Sequence, residues 1–222
     1  MARRSYGQYC GLAYALDLIG ERWTLLVIRD LAVGPRRFTE ILEGLDGLGP
    51  NLLTERLRHL EDAGIVRRSA VPRPDRGVAY ELTGDGERLA QAISPLGIWG
   101  ATRLEARGDL AFRPEWLMFS LRAAFKPEAS AGVHDCYEFR VDGVQLWVTI
   151  DDGEIDVSAT RPREPDFVAT LDVPTLAAIG AGTLSVADAI RSGAASFEGD
   201  GDAMARALLS LGPRSRPVSA SA

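Results

Sequence analysis

Pro50 and Gly64 bracket the segment that most restricts how this chain can fold. Proline suits the first helical position, where its missing N–H would have no intrahelical partner, and glycine suits the left-handed residue that closes a helix. Between them the sequence NLLTERLRHLEDA, wound at 100° per residue, puts Leu53, Leu57 and Leu60 on one side. Asn51, Thr54, Glu55 and Arg58 fall on the other. The segment therefore predicts a helix with marked ends, one face for a core and one polar face for a partner.

Upstream, Arg36 to Leu45 reads as a short amphipathic helix with Phe38, Ile41, Leu42 and Leu45 inward, and Asp46-Gly47-Leu48-Gly49 reads as a turn. Helix, tight turn and capped helix make a helix-turn-helix. Downstream, Ile65 to Val71 has strand character, Pro72 to Gly77 is a turn, and Val78 to Leu82 returns as a second strand. That hairpin, with Arg73 and Arg76 at its tip, is a wing.

A helix with short polar side chains at its N-terminal end fits the major groove of DNA, where Asn and Arg pair with adenine and guanine edges. The candidate contact set is Arg36, Arg37, Pro50, Asn51, Thr54, Glu55 and Arg58, with Arg67, Arg68, Arg73 and Arg76 reaching phosphates or the minor groove. Any one of these arginines alone reads as a solvated side chain. The order of helix, turn, capped helix and basic hairpin is what points to double-stranded DNA.

The net charge of -6 argues at first against a polyanion, but it is unevenly spread. Residues 1–107 hold 15 Lys+Arg against 14 Asp+Glu, and residues 108–222 hold 10 against 17. The acidity belongs to the second half, where it reads as a solvated surface that also keeps that half away from DNA. Only Lys126 among the basic residues is a lysine. Arginine suits bidentate contacts to phosphate and base edges, although a GC-rich genome produces the same bias.

No apolar run approaches the roughly 18 residues of a membrane span, and Met1-Ala2-Arg3-Arg4 leads into no signal-like segment, so a cytoplasmic protein with no membrane partner is expected. Two cysteines, Cys10 and Cys136, and two histidines, His59 and His134, make neither a disulfide framework nor a zinc pattern. There is no nucleophile elbow, metal-ligand cluster or phosphate loop, so no catalytic residue, metal or cofactor is expected, and the chain does not read as an enzyme.

Four motifs of the first half carry a resemblance: Cys10 to Leu31 with its Gly-Glu-Arg-Trp23, Gly34 to Ile41, Pro50 to Gly64, and Tyr80-Glu-Leu-Thr-Gly-Asp-Gly. Together they resemble the HxlR-type branch of the MarR-like winged-helix regulators over about residues 8–105. The resemblance implies a homodimer that binds inverted-repeat operators, mostly as a repressor. It also implies a dimer interface from the helix around Leu12 to Ile19 and the helical segment Glu87 to Arg107, in which Pro95 predicts a kink; the competing reading packs that segment onto the second domain. Cys10 stands where redox- and electrophile-sensing members keep a reactive cysteine; the plain alternative is a small apolar residue. One departure is Gly49, where the family usually has a Ser or Thr N-cap, at a cost of only a few tenths of a kcal/mol.

From Arg113 the hydrophobic period changes. Pro114 to Phe125 fits one helix; Cys136 to Asp142, Val144 to Asp151 and Glu154 to Thr160 alternate as strands, separated by the hairpin signals Asp142-Gly143 and Asp151-Asp152-Gly153. A fourth strand, Asp166 to Asp172, precedes Val173-Pro-Thr-Leu. A helix from Ser185 to Ser192, a strand Ala195 to Gly199 and a helix from Asp200 to Leu211 complete an α+β domain with a mostly antiparallel sheet.

That order, and especially Val173-Pro-Thr-Leu followed by Ser185 to Leu209, is similar to the sterol carrier protein type two family over about residues 113–211. The resemblance implies a five-stranded sheet with helices on one face, enclosing an apolar tunnel for a lipid-like or aromatic ligand. Trp116, Phe119, Phe125, Tyr137, Phe139, Trp147, Phe167 and Leu176 are the candidates for its lining, although an alternating sheet needs an apolar inner face in any case. Trp147, between Gln145 and Thr149 on the face opposite Leu146, Val148 and Ile150, reads as a contact residue, either for packing between the domains or for a ligand or second subunit.

The expectation is thus a multidomain chain: a mainly-α winged helix-turn-helix over residues 1–107, an α+β sterol-carrier-like domain over 108–211, and a disordered tail over 212–222. Its expected function is a homodimeric repressor of transcription gated by a hydrophobic small-molecule effector in the second domain. One alternative switches through Cys10. Another is a lipid-handling protein whose winged helix serves as an interaction module.

Overall fold

The computed structural model describes residues 5–71, 77–101, 103–104 and 112–212. Its compact units divide between Ile93 and Ser94. Each is built around its own sheet.

In the first unit, α1 (Gly11–Ile19), α2 (Thr24–Leu31), β1 (Arg36–Arg37), α3 (Phe38–Gly44), α4 (Pro50–Asp62), β2 (Val66–Val71) and β3 (Gly77–Leu82) precede α5 (Gly84–Ala101). The three strands form an antiparallel sheet of order β1-β3-β2. Val27, Ile28, Ile41, Leu53, Leu57 and Leu60 are almost fully buried, so α2, α3 and α4 meet in one apolar centre. Pro50 occupies the first turn of α4 and Gly64 holds φ +72°, the left-handed conformation that ends it. α5 continues through Pro95.

Arg36 and Arg37 correct the expected helix. They pair as a short strand with Tyr80 and Ala79, and the helix starts at Phe38. The Glu40 carboxylate accepts the Arg37 N–H at 2.6 Å, which satisfies a donor at the helix start and leaves Arg37 extended. Before α2, Trp23 holds φ +79°, uncommon for a bulky residue, with the Arg22 guanidinium 5.0 Å from its ring.

In the second unit, α6 (Pro114–Ala124) and a 3-10 turn (Pro127–Ala129) lead into β4 (His134–Val141), β5 (Val144–Asp151) and β6 (Glu154–Ser158). Then come β7 (Phe167–Leu171), α7 (Val173–Gly180), α8 (Val186–Arg191), β8 (Ala195–Gly199) and α9 (Gly201–Leu211). The sheet order is β6-β5-β4-β7-β8, antiparallel except for β4 against β7. Both hairpins use an Asp-Gly pair with positive φ at each residue, +49° and +81° at Asp142-Gly143 and +45° and +85° at Asp152-Gly153. That geometry matches the strand twist. Asp172, Ser185 and Asp200 cap α7, α8 and α9, each side chain accepting a backbone N–H.

The inward residues of the five strands and the apolar faces of α6 to α9 form a single core. On the opposite sheet face, Trp147 is 8% exposed. Its neighbours across the sheet are Glu138 and Ser158. The β6–β7 connection crosses from one side of β5 and β4 to the other and brings Arg161 and Arg163 close to Cys136, with Arg161 also close to Glu138. Among the described residues, no helix is long and apolar enough to cross a membrane and no cluster of three His, Cys, Asp or Glu is placed to hold a metal.

Candidate nucleic-acid interface and ligand cavity

Leu53, Leu57 and Leu60 fasten α4 to the core, and this leaves Asn51, Thr54, Glu55 and Arg58 exposed on one face, with Pro50 exposed at its start. Thr54 Oγ1 donates to the Pro50 carbonyl at 2.9 Å, keeping acceptor capacity for an outside donor. Arg58 Nε lies 3.9 Å from Asp62, a loose pairing between two well-exposed side chains. Arg56 turns the other way, 3.5 Å from Glu21, and His59 Nε2 is 2.8 Å from the Leu18 carbonyl, so these two tie α4 to the α1 region.

Arg67 and Arg68 of β2 are held by carboxylates. Arg67 Nε donates to Glu81 at 2.8 Å, its direct cross-strand partner. Arg68 donates Nε and Nη2 to the two oxygens of Glu61 at 2.8 and 3.1 Å, and its guanidinium lies 5.6 Å from the Tyr80 ring centre. The Glu61 hydrogen bond raises the Arg68 pKa above its ordinary value. Arg36 and Arg37 are half-buried in β1, and the Arg37 guanidinium lies 3.8 Å from where a β-carbon on Gly77 would stand, at the start of β3 on the turn side of the hairpin. Arg73 and Arg76 lie outside the described residues.

Cys10 immediately precedes α1 and is exposed, with its thiol pKa lowered by the backbone N–H groups of Ala13 and then Leu12. Cys136 is buried, and desolvation pushes its thiol up. The two thiols therefore differ in the property that controls reactivity.

The second unit holds a pocket of about 150 Å³, partly open to solvent, between its sheet and its helices. Of the residues singled out from the sequence, Phe139, Phe167 and Leu176 line it; Trp116, Phe119, Phe125, Tyr137 and Trp147 do not. The reason on α6 is helical phase: Leu117, Ser120, Leu121 and Ala124 face the cavity, which turns Trp116 and Phe119 away. Phe125, at the C-cap, is core. Tyr137 stacks on Phe167 with ring centres 4.7 Å apart, but its hydroxyl is drawn to Asp135 at 2.9 Å. Sequence reasoning missed Met204, Ala207, Leu208 and Leu211 of α9, which recur at the same helical spacing and form another wall. Gly97, Ile98 and Ala101, in the part of α5 that belongs to the second unit, also contribute.

Beside the cavity region, Asp135 is 6% exposed and receives Arg206 in a two-pronged contact at 2.7 and 3.0 Å as well as the Tyr137 hydroxyl. Burial would raise the Asp135 pKa, but these donors outweigh it and hold the carboxyl below its ordinary value. Tyr137 is driven well above the usual phenol range, by burial first and then by Asp135.

A helix-turn-helix followed by a hairpin wing defines a winged-helix protein, and comparison with known proteins names the branch. The model of the HxlR-like helix-turn-helix matches residues 18–107, and that of the SCP-2 sterol transfer family matches residues 119–207. An uncharacterized HTH-type transcriptional regulator of Synechocystis, sll1512, is 34% identical over 45% of this chain and 73% of its own. The HTH-type transcriptional regulator YodB of Bacillus subtilis is 38% identical over 38% of this chain and 76% of its own. The solved structure of reduced YodB aligns with 34% identity over 44% of this chain and 97% of that one, with a TM-score of 0.38. The chain belongs to the HxlR-like helix-turn-helix family: it is a DNA-binding transcriptional regulator that carries an SCP-2 domain.

Proposed function

We propose that this regulator binds an inverted-repeat operator as a homodimer, acts as a repressor, and is gated by a hydrophobic small molecule held in the SCP-2 domain. The cavity carries the gating part of this reading: apolar side chains from strands and helices converge on a pocket, partly open to solvent, within the second unit. Asn51, Thr54, Glu55 and Arg58 read base edges, and Arg36, Arg37 and the wing arginines Arg67, Arg68, Arg73 and Arg76 contact the backbone. The exposed Leu12, Tyr14 and Leu16 of α1, and Leu96 and Trp99 of α5, supply apolar surface for the second copy. Gating requires only that the ligand prefer one arrangement of the dimer, since equal affinity for both shifts nothing.

The test is binding of the purified protein to its upstream DNA over a salt series, with and without a hydrophobic extract of the producing cells. Salt-sensitive, sequence-specific binding released by the extract supports the reading. Specific binding indifferent to every bound ligand removes the gating.

Cys10 favours a second reading, in which oxidation or an electrophile is the signal, because its exposed thiol has a lowered pKa. A Cys10→Ser protein that still releases DNA on oxidant treatment disposes of it.

A further inference from the structure

We propose that Arg56 and His59 are positioning residues of α4: they fasten it to the end of α1 and the turn that follows, and so set the angle at which Asn51, Thr54, Glu55 and Arg58 meet DNA. This rests on α4 being the DNA-reading helix, and it gives that helix a third working face beside the core face and the polar one.

Two observations carry it. The first is helical phase. Leu53, Leu57 and Leu60 are buried and Asn51, Thr54, Glu55 and Arg58 are exposed, but Leu52, Arg56, His59 and Ala63 are half-buried. Spaced i, i+4, i+7 and i+11, these four form a stripe along one side of α4, between its core and polar faces. The Arg56 side chain is 11% exposed against 81% for Arg58, two residues further on. Arg58 is free to lie against a DNA backbone; Arg56 is committed to the protein.

The second observation is what this stripe meets. α1 ends at Ile19, so the Leu18 carbonyl is one of those that a helix end leaves without an intrahelical partner. His59 Nε2, facing that carbonyl at 2.8 Å, is the donor that satisfies it. Arg56 Nη2 lies 3.5 Å from Glu21 and Nη1 3.7 Å from Glu55, while Nε is buried without a hydrogen-bond partner among the described residues. The same connection carries Trp23 at φ +79°, and the edge of its ring lies 3.8 Å from where a β-carbon on Gly47 would stand. Gly47 belongs to the turn that leads into α4. Residues 18–23, which lie outside the helix-turn-helix, therefore touch it at Gly47, Arg56 and His59. An incompletely partnered cation and a strained tryptophan at one junction both cost stability, and such costs gather where a functional geometry is being held.

The test uses the full chain, well below its thermal transition, and two duplexes: the tightest-bound one selected from a random library and a random duplex of equal length. Fluorescence anisotropy over a salt series gives the affinity ratio of the two and the salt slope. His59→Leu is expected to lower the ratio tenfold or more, and His59→Gln, which keeps a side-chain N–H, to recover most of it. Arg56→Glu is expected to lower the ratio similarly without changing the salt slope on random DNA, and adding Glu21→Arg to restore the ratio. If Arg56→Glu does not fold, the His59 pair decides. A slope shallower by about one in Arg56→Glu, unrescued by Glu21→Arg, would make Arg56 a phosphate contact and overturn the proposal. A ratio unchanged in His59→Leu and Arg56→Glu would overturn it as well, leaving the stripe a packing role. Asn51→Ala, measured alongside, separates the two claims. If it too leaves the ratio unchanged, α4 is not the reading helix; if it alone lowers the ratio, the reading helix stands and the positioning role fails.

Discussion

Arg68 places its guanidinium fork on both oxygens of Glu61, at 2.8 and 3.1 Å, so the most favourably placed cation of β2 is already occupied by a carboxylate from the end of α4. Exposed pairs of this kind exchange partners at small cost, and a DNA phosphate competes with Glu61 for the same fork. On the proposed DNA-binding reading, the acid subtracts from sequence-independent attraction and leaves a larger share of binding to the exposed polar face of α4.

Glu61→Gln frees that fork. Its expected effect is a several-fold gain in affinity for a random duplex at low salt, with the slope of log affinity against log salt steeper by about one. Fluorescence anisotropy over a salt series measures both; an unchanged slope shows that Arg68 does not reach the backbone.

Asn51→Ala should act on the other term. Loss of a bidentate contact to a base costs about 1–3 kcal/mol of discrimination. Operator affinity falls accordingly while affinity for random DNA stays where it was, as a competition assay between the two duplexes would show.

Arg206→Ala strips a nearly buried carboxylate of its cation and leaves Tyr137 as its hydrogen-bond donor. Because the Arg206 side chain is partly exposed, the cost is put at about 2 kcal/mol, below that of a fully buried pair. The sign of the pH dependence follows from the lowered Asp135 pKa. Stability from the pair is present above the unfolded carboxylate pKa of about 3.9 and is lost as pH falls through the lower folded value. Urea denaturation of both proteins should show a gap that is constant near neutrality and closes in strong acid.

Cys10 and Cys136 should label at different rates. Cys10 is expected to react with a thiol reagent in the native protein, with a rate that has already levelled by the pH where an ordinary thiol is still rising. Cys136, buried and raised, reacts only on unfolding. Mass spectrometry of briefly alkylated protein identifies the modified residue.

Much of the fold was legible because local chemistry carried it. Pro50 and Gly64 ended α4 where expected, and Asp142-Gly143 and Asp152-Gly153 set two hairpins whose positive φ values few other pairs adopt. Arg67 opposite Glu81 follows from hairpin register, whereas Arg68 with Glu61 depends on the angle at which α4 gives way to β2, which no periodicity encodes. The cavity was harder. Alternation assigns Tyr137, Phe139 and Phe167 to one sheet face, but the helices laid over that face decide which of them line a space and which are packed solid. Trp147 is nearly buried, which its polar neighbours in sequence do not disclose.

The strand order of the second unit leaves β6 and β8 as its outermost strands, both only five residues long. β6 exposes Glu154 and Asp156, and β8 exposes Glu198. Like strands from another copy aligning on either border would bring carboxylate against carboxylate while gaining few main-chain hydrogen bonds. The sheet thus resists extension into a shared ribbon or fibril.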